Sequence, residues 1–411
     1  MNTPLNDAIN SNIFHGSFHT PGHSGTIDRT DITELSYSGN LLLNTGVIKE
    51  SQIEVSKVYR SECCRYITQG ATTAIHIALK AFSDKKILVV GDCHYSVFSA
   101  IRLFRIRNAY FCDYSSYQDA IDQIAPDVVY YTAVDYKGNA NKLSVISDKI
   151  IYIVDEAHGA HYRFFQLLPK TALRFADIVI HSLHKTLPVP TGGAIIHFKE
   201  KYADQIDLAF TDIHSSSPSY YIMAKAELAI KKFNKIGRGI FYDLVWLIER
   251  FSEWIAPFEV VKNDDFTRLV ITSEYDMMSV KNTLEKYGIF AEACYDNCLI
   301  FIVTYFNQTN LKYLSEILKT KLSDLIPKKE TKKYNLTKTI KKIELFDEYS
   351  LVNLYDAIGR RSYRELSIYP PGTPFIFAGD YITENAIDII KNNRNSILGL
   401  VNNKLSVLKY S

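Results

Sequence analysis

The chain has 411 residues, of which 47% are hydrophobic and 22% charged, and a formal net charge of +2. That is ordinary for a globular protein long enough to hold two domains, and the near balance of charge supplies no field to draw nucleic acid or an anionic membrane. The six cysteines form no Cys-x-x-Cys pair, the first residues carry no leader pattern, and no apolar run approaches the roughly 20 residues of a membrane span, so a reducing cytoplasm is the expected setting. The 28 tyrosines and 22 phenylalanines are spread along the chain and are read as core, not as a platform for bases.

Residues 1–48 read as an irregular arm, with a polar, turn-forming run at His19-Thr20-Pro21-Gly22-His23. From about 49 the pattern alternates. Residues 72–82 predict a helix with Ile75, Ala78, Leu79 and Phe82 on one face, and 87–90 a short buried strand. A helix over 97–104 follows, then strands at 128–132, 150–154, 178–180 and 193–198. Strands separated by helix-length stretches predict an α/β fold with a mostly parallel central sheet covered by helices on both faces. Two helices are expected at 220–235 and 238–254. Beyond 250, strands at 267–272 and 298–305 and a helix at 311–326 suggest a smaller α+β domain, and the lysine-rich 328–342 a solvated loop. The expected division is an arm contributing to the active site (1–48), a large domain (49–250) and a small C-terminal domain (251–411).

Four features converge beyond the carboxyl ends of these strands, where ligands bind in open parallel sheets. Gly70-Ala71-Thr72 opens the 72–82 helix, whose N-terminus suits a phosphate. His94 follows the 87–90 strand and can lie flat on a ring. Asp155 ends its strand and needs a cationic partner to stay ionised when buried. Lys185, in Ser182-Leu183-His184-Lys185, can attack an aldehyde as a neutral amine. Together they point to pyridoxal 5'-phosphate (PLP), with Lys185 as the Schiff-base lysine and Asp155 on the ring nitrogen. Asp155, His158 and His161 as metal ligands, or Cys294 and Cys298 on one helix face as a zinc pair, are weaker readings, and no metal is expected.

The chain resembles the ornithine/lysine/arginine decarboxylase family, PLP enzymes of fold type I. The resemblance rests on Pro21-Gly22-His23, Asp31-Ile32-Thr33-Glu34-Leu35, Gly46-Val47-Ile48-Lys49-Glu50, Asp155-Glu156-Ala157-His158-Gly159-Ala160-His161, Ser182-Leu183-His184-Lys185-Thr186-Leu187-Pro188, Ser217-Pro218-Ser219-Tyr220, Ala357-Ile358-Gly359-Arg360 and Tyr369-Pro370-Pro371-Gly372. It implies a compact member without an N-terminal receiver-like domain, working as a homodimer with active sites at the interface. By the same resemblance His94 stacks on the ring, Ala157 packs on its other face and His158 lies near the substrate. Ala71, Thr72, Ser182 and His184 hold the phosphate, and Ser216 and Ser217 reach that of a partner subunit. The implied reaction is α-decarboxylation of a basic amino acid, with Glu34 and Asp380 as candidate partners for its distal cation. Other PLP chemistry on the same scaffold (elimination, aldol reaction or oxidative deamination) and a catalytically silent regulator are the alternatives. The chain departs from the family at Pro190-Thr191-Gly192-Gly193, where a glutamine is usual, and at Asp380, where a glutamate is usual.

Overall fold

The computed structural model describes residues 1–11, 18–141, 143–295, 297–321, 326–327, 339–369 and 372–409. Helices α1 (Pro4–Ser11) and α2 (Gly46–Tyr59) precede β1 (Cys63–Ile67). Then come α3 (Ala71–Ala81), β2 (Ile87–Val90), α4 (Ser96–Leu103), β3 (Ala109–Cys112), α5 (Tyr117–Ile124), β4 (Val128–Thr132), β5 (Ile151–Asp155), β6 (Ile178–His181), the single turn α6 (Leu183–Thr186), β7 (Ala194–Phe198), α7 (Ala203–Ile213) and α8 (Tyr220–Trp254). The strands expected from sequence stand within a residue of their observed bounds through β7.

The large sheet has the order β1-β7-β6-β5-β4-β2-β3, with a further strand, described below, beyond β3. Strands β3, β2, β4, β5 and β6 are mutually parallel, while β7 runs antiparallel to both neighbours. Alternation along the strands builds two cores. Ile87, Val89, Val128, Tyr130, Ile153 and Ile178 face one side, under α3, α4, α7 and α8; Leu88, Val90, Val129, Tyr131, Val154 and Val179 face the other, under α5. A parallel sheet buried on both faces is what near-continuous apolar strands require. Because β3 lies on one side of β2 and β4 on the other, the crossovers reverse between β2 and β4, which makes that the switch point of the sheet.

A second, antiparallel sheet has the order β10-β11-β9-β8, from β8 (Glu259–Val261), β9 (Arg268–Thr272), β10 (Ala293–Tyr295) and β11 (Cys298–Ile302). Helices α9 (Met277–Lys286) and α10 (Asn310–Thr320) belong to the same stretch. Strand β12 (Ile340–Lys342) returns to the large sheet and pairs antiparallel with β3. Two small sheets follow, formed by β13 (Tyr349–Val352), β14 (Leu366–Ile368), β15 (Pro374–Ile376), β16 (Ile397–Leu398) and β17 (Leu405–Leu408), with α11 (Glu384–Asn392) packed among them.

Three sequence expectations change. The arm is not wholly irregular: α1 forms because Leu5 and Ile9, four residues apart, are buried, and because the Glu227 carboxylate on α8 accepts the N–H groups of Leu5 and Asn6 at 3.3 and 2.8 Å. The two helices expected over 220–254 are one. Gly237 lowers helix propensity there, but a Cβ at that position would stand 3.0 Å from Cβ of Phe164, so close packing selects glycine. Of the lysine-rich 328–342, residues 328–338 lie outside the described residues, and 340–342 form β12 in place of the expected loop.

Ile153, wholly buried at the centre of the large sheet, should be costly to truncate. Ile153→Ala is expected to lower unfolding free energy by about 2–5 kcal/mol, read as a shifted urea midpoint with an unchanged m-value.

Candidate active site

A cavity of about 420 Å³ opens at the switch point, beyond the carboxyl ends of β2, β4, β5 and β6. Nine residues singled out from sequence line it: Ala71, Thr72, His94, Asp155, Ala157, His158, Ser182, His184 and Lys185.

Lys185 sits on α6, directly after β6. Its Nζ lies 2.9 Å from Nε2 of His158, which follows β5. Burial holds the amine below its ordinary range, and the Arg268 cation adds to this while Asp155 opposes it. Burial also depresses His158 well below 6.5, with Arg268 and Lys185 contributing. With the amine donating to Nε2, the imidazole proton resides on Nδ1, a buried atom with no partner among the described residues. Oγ1 of Thr132, also on the cavity wall, is buried and unpartnered too. Unsatisfied buried polar atoms are uncommon, and two lining one cavity suit a polar ligand.

Asp155 is buried at the end of β5. Its Oδ2 accepts the Tyr130 hydroxyl at 3.0 Å and its Oδ1 the Ala157 N–H at 2.9 Å. These bonds fix the carboxylate without a cation from the protein among the described residues. Gly70 at φ +82° turns the chain into α3, so the first-turn N–H groups of Ala71 and Thr72, which have no intrahelical acceptor, meet the cavity. Ser182 and His184 face the same end; their Oγ and Nδ1 lie 3.3 Å apart, and His184 Nδ1 lies 3.2 Å from Gly193 O. Glycine at 192–193 lets this strand approach Gly70, whose N–H donates to Gly192 O at 2.7 Å. His94 accepts the Ser96 N–H at Nδ1, 3.2 Å away, and its ring meets that of Tyr369 edge-on at 5.8 Å. Burial lowers its pKa.

The structure does not bring every candidate to the cavity. Asp380 accepts from Lys341 Nζ at 2.6 and 2.7 Å and from the Phe377 N–H at 3.0 Å, so its charge is already paired. Glu34 bonds the Thr33 hydroxyl. Neither lines the cavity, nor do the exposed Ser216 and Ser217, nor any described residue of 1–48. The metal reading of Asp155, His158 and His161 fails on geometry. Their side chains diverge: His161 Nε2 turns to Asp265 and Thr267, at 3.4 and 3.1 Å, away from His158. Cys294 and Cys298 lie on neighbouring strands, not on one helix, and their side chains join different cores.

Three lining or supporting residues, Tyr136, Glu292 and Arg268, escaped the sequence reading, and Tyr369 entered it only as part of a motif, without a role. Tyr136 and Glu292 line the cavity together, joined by a hydrogen bond at 3.3 Å from the tyrosine hydroxyl. Tyr369 stands over His94. Arg268 is buried behind Tyr136, with Nη1 3.0 Å from Tyr136 O. No local motif marks Tyr136, Glu292 or Arg268, and the last two come from beyond 250.

Residues 118–274 match the family model described as Orn/Lys/Arg decarboxylase, major domain. Over 95% of this chain and 93% of its own length, an arginine decarboxylase of Halalkalibacterium halodurans is 24% identical. The chain is thus similar to the ornithine/lysine/arginine decarboxylase family, through the model match over 118–274 and relatives aligned along most of its length. The Bacillus subtilis protein YaaO is 26% identical over 94% of this chain and 93% of its own length. A lysine decarboxylase from Francisella novicida superposes with a TM-score of 0.78 at 18% identity, covering 98% of this chain and 80% of that one. At that identity the likeness speaks for the fold, PLP fold type I.

The buried imidazole gives a pH prediction for the cofactor-free protein. Below 6.5 the unfolded chain takes up a proton that His158 in the fold refuses, so stability falls as pH drops through that value. His158→Gln removes this uptake. Its urea midpoint is expected to decline less steeply below pH 6.5 than that of the parent, by up to one proton, or about 1.4 kcal/mol per pH unit.

Proposed function

We propose that this chain is a PLP-dependent α-decarboxylase of a basic amino acid (ornithine, lysine or arginine), releasing CO2 and the corresponding amine. One juxtaposition carries the reading: a lysine amine withdrawn from water, 2.9 Å from an imidazole, in a cavity that also holds a buried aspartate and a helix N-terminus. The family-model match over 118–274 supports the reaction class, and the naming of relatives as arginine and lysine decarboxylases supports a basic substrate.

The residues present fit the cofactor. Lys185 would carry it covalently, and Asp155, whose surroundings supply N–H and O–H donors but no cation, would pair with a protonated ring nitrogen. Ala71, Thr72, Ser182 and His184 would hold the phosphate; His94 and Ala157 would cover the two faces of the ring. When bound, PLP supplies an electron sink for the pair released at the substrate Cα. The rest falls to the chain. Asp155 keeps a fixed negative charge at the floor of the cavity, where little water screens it. The Cα–carboxylate bond breaks, CO2 departs, and Lys185 or His158 delivers a proton to Cα. A low amine pKa and a neutral imidazole make this pair suited to passing one proton between them.

We further propose a cytoplasmic homodimer with active sites at the interface, in which Ser216 and Ser217, exposed in the single chain, reach the partner's cofactor phosphate. Residues 1–48 would then serve as an arm, 49–250 as the cofactor-binding unit and 251–411 as the smaller unit. No described helix is long and apolar enough to cross a membrane.

The test is CO2 release from a panel of amino acids by the PLP-loaded protein. Release from ornithine, lysine or arginine is expected; an aldehyde or keto product without CO2 would overturn the reading. Lys185→Ala is expected to abolish turnover and the visible absorbance of protein-linked PLP. Asp155→Asn should lower kcat by on the order of 10²–10³.

A further inference from the structure

A basic substrate needs a counter-charge for its distal cation, and the two carboxylates suggested by sequence, Glu34 and Asp380, lie outside the cavity. The described lining holds five acids: Asp92, Asp135, Asp155, Glu156 and Glu292. Four are committed or withdrawn. Asp155 is fixed by Tyr130 and Ala157. Glu156 points into the sheet, where it takes His181 at 2.7 Å, the Thr171 hydroxyl at 2.5 Å and the Ala172 N–H at 2.8 Å. Asp135 caps its own turn by accepting the N–H groups of Lys137 and Asn139, at 2.8 and 2.9 Å. Burial pushes the Asp92 carboxyl upward, toward its neutral form. Glu292 is different: it is exposed, and the single hydrogen bond that its carboxylate accepts among the described residues comes from the Tyr136 hydroxyl onto Oε1. Its second oxygen is left for a ligand.

We infer that Glu292 and Tyr136 form the subsite that takes the distal cation of the substrate, Glu292 as counter-ion and Tyr136 as the group that aims it. The inference rests on the basic-amino-acid reading proposed above and names the residues that would enforce it. Both residues are held from behind. The Glu292 N–H donates to Ile300 O at 2.9 Å, which ties it to the end of the second sheet. Tyr136 is held through its carbonyl by Arg268 Nη1 and sits in a turn closed by the Gly138 N–H on Asp135 O, at 3.1 Å. Asn263 Nδ2 locks that turn to the second sheet by donating to Lys137 O and Arg268 O, both at 2.7 Å. The Tyr136 ring also meets the His158 ring edge-on at 5.9 Å, so it spans from the reacting end of the cavity to Glu292. Burial raises the phenol pKa, with the Glu292 charge adding to it, so the hydroxyl stays a donor. The Arg268 guanidinium already lies over the Tyr136 ring, 5.8 Å from its centroid, so attraction for a distal cation has to come from the Glu292 carboxylate. Lys137 lines the same wall, so the local field is not generally negative and recognition has to be made at Glu292 itself.

The experiment uses the PLP-loaded full chain with Glu292→Gln and Tyr136→Phe. CO2 release is followed with ornithine, lysine, arginine and the uncharged isostere norleucine, and binding of putrescine, cadaverine and agmatine by calorimetry. Glu292→Gln is expected to raise KM for the preferred basic substrate about tenfold or more, with a smaller change in kcat, and to weaken the matching amine product to a similar degree. Its kcat/KM for norleucine should hold, so the ratio of basic to neutral substrate collapses, which a general structural defect would not produce. Tyr136→Phe should shift the same ratio in the same direction by less. If the parent prefers basic amino acids and Glu292→Gln leaves KM, amine affinity and that ratio unchanged, the inference fails while the proposed function stands. If the parent releases CO2 from no basic amino acid and binds none of the amines, the proposed function fails and takes the inference with it.

Discussion

The rest of the site depends on one constraint: the amine of Lys185 is taken out of water without a carboxylate bonded to it. A buried ammonium with only an imidazole at 2.9 Å is poorly compensated, so the environment favours the neutral, nucleophilic amine. Asp155 is close enough to oppose this electrostatically, yet its oxygens are turned to Tyr130 and Ala157. Had it met Lys185 directly, the lysine would be a stable ion pair and a poor nucleophile. The strand order delivers this separation. Asp155 and Lys185 sit at the ends of adjacent parallel strands, near enough to share a cavity and held apart by the backbone bonds of β5 and β6.

Much of the large sheet could be read from the chain because its strands are short, apolar and separated by amphipathic helices. Local pattern and tertiary burial agree there. The same holds for Lys185, Asp155 and His94: each follows directly on a strand that is visible on its own, and a parallel sheet gathers strand ends at one edge.

Where local signal and tertiary context part, the sequence was silent. Helix α1 has a local start signal in Thr3-Pro4, but its first N–H groups are satisfied by Glu227, 222 positions from Leu5, which no local pattern shows. The continuity of α8 through Gly237 runs against helix propensity and is resolved only by Phe164 packing on it. Tyr136 and Glu292 meet across 156 positions of chain. Asp380 had the right chemistry for a substrate carboxylate, but chemistry does not say which way a side chain faces, and Lys341 claimed it. The cavity therefore has two origins. Strand ends of the large sheet supply the lysine, the aspartate and the histidines, while Glu292 and Tyr369 from beyond 250 complete the wall beside Tyr136 and His94.

Strand β12 has a role in the life of the molecule outside the active site. Without it, β3 would be an open edge of seven ordered strands, a template on which any extended chain could pair. The strand that occupies this place is three residues long, contributes Lys341 and Lys342, and has one of those lysines tied to Asp380. A short, positively charged final strand terminates the sheet: a further copy adding there would find little ladder to extend and a like charge already in place. At the other end of the sheet Arg65 on β1 is turned to Asp207 through two bonds of 3.0 and 2.8 Å. The lysine-rich stretch that read as a solvated loop in the sequence ends in a strand that caps the β3 edge, the side on which the sheet could otherwise grow.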